Sequence, residues 1–181
     1  AGNHAQGFAM SCSLLKIKGT VFMPVTTPKQ KVSAVERLGK KYVEIILSGD
    51  TYDDAKNAAL KFVQKENKIF VSPFDHKLII EGQGTVAAEI LEQIGKKKID
   101  YIFVPIGGGG LAAGVITYFK EFSPTTKIIG VEPQGAPAMM ESMKKNKVIT
   151  LDKIDSFVDG AAVKQVGYHT LPICKKGLED I

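Results

Sequence analysis

Four consecutive glycines, Gly107-Gly108-Gly109-Gly110, stand between the apolar run Tyr101-Ile102-Phe103-Val104-Pro105-Ile106 and a segment of helical period, Leu111 to Phe122. Glycine loses more backbone entropy on ordering than any other residue, so four in a row disfavour helix and strand alike. Between a buried strand and a helix start they have a use. Backbone N–H groups unobstructed by side chains crowd around an anion at the positive end of the helix dipole. Such a run suits a terminal phosphate with several oxygens, whereas a tight turn alone would be satisfied by one glycine.

The rest of the chain reads as α/β. Short runs rich in Val, Ile and Phe predict strands at Thr20–Met23, Val43–Leu47, Ile69–Ser72, Tyr101–Ile106 and Lys127–Val131. Helical periodicity covers His4–Leu15, Pro28–Leu38, Asp53–Glu66, His76–Ile94, Leu111–Phe122 and Pro137–Lys145, with a last helix beginning near Thr170. Pro28 suits a first helical turn, Gly39 a C-cap, and Asp50 or Thr51 an N-cap. The alternation predicts parallel sheets with helices on both faces. Ser72-Pro73-Phe74-Asp75 breaks the pattern, which divides the chain into subdomains 1–72 and 73–181. In such folds ligands sit beyond the carboxyl ends of the strands, where the tetraglycine lies. A second glycine turn, Ala1-Gly2-Asn3-His4, also opens a helix.

Charge and cysteine usage narrow the function classes. The net charge of +5 is carried almost wholly by lysine, Arg37 being the one arginine, and the lysines gather at element ends. That is a solvated surface rather than the concentrated Arg-bearing stripe that nucleic acid requires. No apolar run reaches membrane-spanning length. Cys12 and Cys174 read as buried free thiols, and no Cys or His pair has zinc-ligand spacing, so no metal is expected. The opening residues carry neither an initiator Met nor a signal peptide, which reads as a piece of a longer protein.

The glycine run also admits a dinucleotide reading. Gly108-x-Gly110-x-x-Ala113 fits the G-x-G-x-x-G/A fingerprint, and Glu132 ends the next strand, about where an acid would hold a ribose. Against it, several strand–helix units precede the fingerprint, which ordinarily follows the first strand. A nicotinamide-dinucleotide-binding domain of an oxidoreductase is therefore the alternative.

Taken together, Ala1-Gly2-Asn3-His4-Ala5-Gln6-Gly7, Gly82-Gln83-Gly84-Thr85 and Gly107-Gly108-Gly109-Gly110-Leu111 resemble the fold-type II pyridoxal-phosphate enzymes, and within them the threonine dehydratase (threonine ammonia-lyase) family. Phe22-Met23-Pro24, Thr27-Pro28-Lys29, Pro73-Phe74-Asp75, Leu151-Asp152-Lys153-Ile154-Asp155 and Phe157-Val158-Asp159-Gly160-Ala161-Ala162-Val163-Lys164 extend the similarity over essentially the whole chain, toward the biosynthetic type.

The resemblance implies a pyridoxal 5'-phosphate cofactor, a tryptophan-synthase-β-like architecture and β-elimination from L-threonine, and from L-serine, to a 2-oxo acid and ammonia. It implies that Gly107 to Gly110 and the Leu111 N–H hold the cofactor phosphate. Asn3 would bond the phenolic oxygen of the ring. Ala1, Gly2, Asn3 and His4 would bind the substrate carboxylate, and Gly160 would lie near the reacting amine. It places the Schiff-base lysine ahead of Ala1, so no catalytic residue falls in this chain, and the stretch by itself is expected to be inactive. Serine racemases of this fold carry a serine at the Ala1 position; alanine moves no protons, which favours elimination. The resemblance further implies a cytoplasmic homo-oligomer acting on a small amino acid in isoleucine biosynthesis.

Overall fold

A computed structural model describes residues 2–181; Ala1 lies outside the described residues. The chain divides into two compact units, Ala1–Val71 and Ser72–Ile181.

In the first unit, α1 (Asn3–Leu15), β1 (Gly19–Met23), α2 (Lys29–Gly39), a 3-10 turn (Lys40–Tyr42), β2 (Val43–Leu47) and α3 (Tyr52–Glu66) follow in order. β1 and β2 pair in parallel, Gly19 opposite Val43 and Met23 opposite Leu47. Ala5, Ala9 and Cys12 recur at helical spacing and are buried together. With Val21, Met23 and Val35 the two alanines form the core, flanked by Phe8, Val32, Leu38, Val43 and Ile45. Their small side chains permit close approach. A Cβ on Gly19 would fall 2.6 Å from the Phe8 ring, and one on Gly39 would fall 2.5 Å from Val43 Cβ. That contact is why position 39 is glycine. It is the last helical residue with an ordinary φ of −77°, and Lys40 takes the left-handed φ of 50°. Pro28 is likewise the N-cap rather than the first helical residue. Thr51 caps α3 through a full capping box with Asp54.

The second unit contains α4 (Lys77–Ile94), β3 (Tyr101–Pro105), α5 (Gly110–Phe122), β4 (Lys127–Val131), α6 (Ala138–Lys145) and α7 (Thr170–Gly177). β3 and β4 are parallel, with Tyr101 opposite Lys127 and Pro105 opposite Val131, and α5 makes the crossover. α5 is buried on most of its circumference, through Gly110, Ala112 to Ile116 and Phe119. It centres a core with Val104, Ile106, Ile128, Met139, Leu171 and Cys174. Both cysteines are buried and unpaired.

One expected strand is absent. Residues 69–72 have no strand pairing and run as irregular chain into the second unit. Ile69 and Val71 are exposed, so the apolar residues that suggested a strand have no sheet to enter here. The stretch 151–169 is a loop apart from an antiparallel bridge between Thr150 and Gln165.

Candidate functional site

The strand-to-helix passage in the second unit is built from glycine because something presses on it at each step. Ile106 N–H still donates to Val131 O at 2.9 Å, continuing the ladder one residue past β3. Beyond it, a Cβ on Gly107 would sit 3.0 Å from Ala161 O, and one on Gly108 would enter the Phe74 ring. On Gly109 it would lie 2.6 Å from Met139 Cε and 2.8 Å from Thr170 Oγ1, and on Gly110 2.8 Å from Phe74 Cβ. Gly109 also has φ +91°, a conformation cheap only for glycine, and serves as the N-cap of α5.

The same passage leaves its donors free. Ala113 N–H is the first of the helix to find a partner, Gly109 O at 2.8 Å. Among the described residues no protein acceptor meets the N–H groups of Gly107, Gly108, Gly109, Gly110 or Leu111. Gly108 to Gly110 are buried, and Gly107 and Leu111 half-buried. A run of uncharged, closely spaced N–H donors at the positive end of a 13-residue helix fits the oxygens of a phosphate monoester, and so fits the phosphate of pyridoxal phosphate.

Gly160 lies in the exposed turn before Ala161, with open space around its Cα. Because Ala161 backbone packs on Gly107, that turn borders the loop. The structure thus brings Gly107 to Gly110, Leu111 and the Gly160 turn together within one unit.

In the first unit, Gly2 is the N-cap of α1 with extended backbone, φ −160°, and its carbonyl accepts from Gln6 N–H at 3.1 Å. Asn3 is exposed at the first helical position. His4 is half-buried, and its Nε2 lies 3.2 Å from Val71 O. A carbonyl only accepts, so Nε2 carries the proton. Burial holds the imidazole below its ordinary 6.5, against the opposing hydrogen bond to Val71, which favours a neutral ring tied to the end of its own unit. Ala1, the fourth residue expected here, is outside the described residues.

Three residues, Phe74, Asp75 and Thr170, carry more of the site than the sequence suggested, and a fourth, Glu132, holds a helix in place of a ligand. Phe74 supplies the surface against which Gly108 and Gly110 lie. Asp75 accepts from Tyr168 N–H at 2.9 Å and His169 N–H at 2.8 Å. Thr170, wholly buried, donates to Gly108 O at 2.7 Å. Glu132 accepts from Met139 N–H at 2.6 Å and Met140 N–H at 3.0 Å, capping α6 from outside. In the sequence Pro73-Phe74-Asp75 marks a connector and extends the resemblance, with no role given to its side chains; an aromatic and a carboxylate beside a strand breaker are the signal available. Glu132 bears on the dinucleotide reading, which needs this acid for a ribose. Its carboxylate is instead engaged by α6, and burial raises its pKa despite those two N–H bonds.

Comparison with known proteins agrees with the geometry. The model of the family described as pyridoxal-phosphate dependent enzyme matches residues 1–181. The biosynthetic L-threonine dehydratase of Halalkalibacterium halodurans is 59% identical over 181 residues, which is 100% of this chain and 43% of that protein. The Bacillus subtilis counterpart is 51% identical with the same coverage. Among solved structures, the processed form of threonine deaminase isoform 2 from Solanum lycopersicum superimposes with a TM-score of 0.89 at 42% identity, over 99% of this chain and 52% of that one. Maize serine racemase gives 0.88 at 32% identity, over 99% and 53%. The chain therefore spans about half the length of the proteins it matches, and the oxidoreductase alternative finds no support among them. A glycine loop whose free N–H groups suit a phosphate, in a chain matched from end to end, leads to one assignment: the chain belongs to the pyridoxal-phosphate dependent enzyme family.

Proposed function

We propose that this chain is the part of a biosynthetic threonine dehydratase that holds the cofactor phosphate and the substrate carboxylate. The reaction is β-elimination from L-threonine, and from L-serine, to a 2-oxo acid and ammonia, as the first step of isoleucine biosynthesis. The observation that carries the reading is the set of unengaged N–H groups from Gly107 to Leu111 at the head of α5. The dehydratases at 51% and 59% identity support it. On this reading the two units are parts of the small and large subdomains, within a cytoplasmic homo-oligomer.

When bound, pyridoxal phosphate supplies an electron sink for the negative charge left at the substrate Cα. The chain's own residues bind and orient. Gly107, Gly108, Gly109, Gly110 and Leu111 grip the phosphate through N–H donors whose directions are fixed by packing rather than by side chains of their own. Asn3, exposed at the start of α1, would bond the ring's phenolic oxygen through its amide. Gly2, Asn3 and His4 present the first N–H groups of α1 to the substrate carboxylate, which fixes the direction of the Cα–H bond. Gly160 would border the reacting amine. Ala1 carries no group able to return a proton to Cα, so the reaction runs to elimination rather than racemisation.

The test uses the protein extended on both sides to the length of its relatives and supplied with pyridoxal phosphate. Formation of 2-oxobutanoate from L-threonine is expected. A folded, cofactor-saturated protein inert toward both L-threonine and L-serine would overturn the assignment.

A further inference from the structure

A loop of four glycines has no side chains with which to hold its own peptide planes, yet an anion cradle works only if those planes are fixed. From Gly110 onward the helix fixes them, since Gly109 O already accepts from Ala113 N–H. The peptide between Gly108 and Gly109 lies outside the helix and needs another anchor. The structure assigns that task to Thr170: its hydroxyl, held on Gly108 O, orients the Gly109 N–H toward the phosphate, which makes Thr170 a positioning residue for cofactor binding. The inference rests on the glycine loop being the phosphate site.

The physical link is the planarity of the peptide. In a trans peptide the carbonyl and the following N–H point to opposite sides. Gly108 O receives the Thr170 hydroxyl at 2.7 Å and Gly167 N–H at 3.2 Å, both from the α7 side. Gly109 N–H must therefore point away from α7, which leaves it available to a ligand. Thr170 Oγ1 in turn accepts from Gly167 N–H at 3.1 Å and lies 3.3 Å from Gly167 O. This buried hydroxyl thus has both its donor and its acceptor capacity in use. The turn that carries it is anchored by Asp75, whose Oδ1 takes His169 N–H at 2.8 Å and lies 3.1 Å from His169 Nδ1, while Oδ2 takes Tyr168 N–H at 2.9 Å. A Cβ on Gly167 would fall 2.5 Å from Asp75 Oδ1, so only glycine lets the carboxylate in so close. The neighbouring Phe74 presses on Gly108 and Gly110. Two adjacent residues, Phe74 and Asp75, therefore pack the loop and anchor the turn that aims it.

The experiment compares dissociation constants for pyridoxal phosphate and for pyridoxal, which lacks the phosphate, in the parent chain, Thr170→Val and Thr170→Ser. Parent protein showing no preference for the phosphorylated form would refute the phosphate-site reading itself, before Thr170 is tested. Given that preference, Thr170→Val is expected to reduce it about tenfold, the scale of one hydrogen bond to a charged group. Thr170→Ser, which restores the hydroxyl, is expected to stay within about threefold of the parent. A valine variant that retains the preference, or that weakens both ligands equally, overturns the assignment. So does a serine variant as impaired as valine, because the methyl group and not the hydroxyl would then be responsible. An independent measurement needs no variant to fold. On the unmodified chain, titration with inorganic phosphate should move the Gly109 amide resonance with those of Gly110 and Leu111, and a Gly109 resonance unmoved while its neighbours shift would overturn the proposal.

Discussion

Gly114 gives the sharpest stability test in the second unit. It lies inside α5, where alanine is ordinarily the better helix former by about 1 kcal/mol. The structure predicts the opposite result. A Cβ at Gly114 would lie 2.5 Å from Ile80 O, 2.6 Å from Gly84 N and 2.8 Å from Gln83 C. All three are backbone atoms of α4, and none can rotate away. The closest of them is nearly 1 Å inside the 3.4 Å at which ordinary contact begins, so α4 would have to move. Overpacking of this kind costs about 1–3 kcal/mol, and a rigid backbone neighbour puts it at the upper end. Set against the propensity gain, Gly114→Ala should destabilise the unit by about 2 kcal/mol, lowering its melting temperature by roughly 8 °C. Gly82→Ala is the internal control, because an added Cβ there meets nothing within 4 Å and the site is exposed. It should gain about 0.5–1 kcal/mol. Gly84→Ala, whose Cβ would reach Gly114 O at 3.4 Å, should fall between. The chain has no tryptophan, so melting is followed by far-ultraviolet circular dichroism. Gly114→Ala melting at or above the parent, or moving in step with Gly82→Ala, would refute the close-packing argument.

Three further outcomes are expected. Thr51→Ala removes the acceptor of Asp54 N–H in the α3 capping box and should cost the first unit about 1 kcal/mol in denaturant unfolding, with Thr51→Ser close to the parent. His4 has a folded-state pKa below its ordinary 6.5, chiefly through burial. Its neutral ring thus contributes stability that is present above 6.5 and lost as pH falls through the folded value. Unfolding free energies between about pH 7.5 and 5 should show an acid loss that is smaller in His4→Gln; equal slopes would contradict the assignment. The Cys174 thiol is pushed up to about 12 by burial and then by the charge of Glu132. It should resist alkylation in the folded chain near neutral pH and react only on unfolding, as mass spectrometry would show.

The elements were legible wherever the local pattern and the tertiary demand coincide. Val43–Leu47 and Lys127–Val131 are strands at the residues their Val- and Ile-rich runs mark, because β-branched side chains are stiff at χ1 and suit the pleated surface of a paired, half-buried strand. The cap of α3 was legible as far as Asp50 or Thr51; the capping box that Asp54 closes three residues on makes it Thr51. Where the deciding contact is distant in sequence, the local signal misleads. Ile69–Ser72 has strand composition but pairs with no strand among the described residues. Gly39 looks like a helix stop, yet it is glycine because Val43 Cβ would otherwise be struck.

The tetraglycine shows both effects in four residues. Sequence reasoning set packing and ligand binding against each other, since a simple turn needs only one glycine. In the structure each of the four has a packing reason: Ala161 at Gly107, the Phe74 ring at Gly108, Met139 and Thr170 at Gly109, and Phe74 again at Gly110. Packing does not compete with the cradle; it creates it. Neighbours pressed to within 3 Å of where a Cβ would be leave the loop no room to turn over, and a loop that cannot turn over presents its N–H groups in one direction. An anion then binds donors that are already aimed, without the ordering cost that a mobile glycine run would impose. The residues to vary in testing the cradle are therefore not only its glycines but those that press on them, Phe74, Met139 and Thr170.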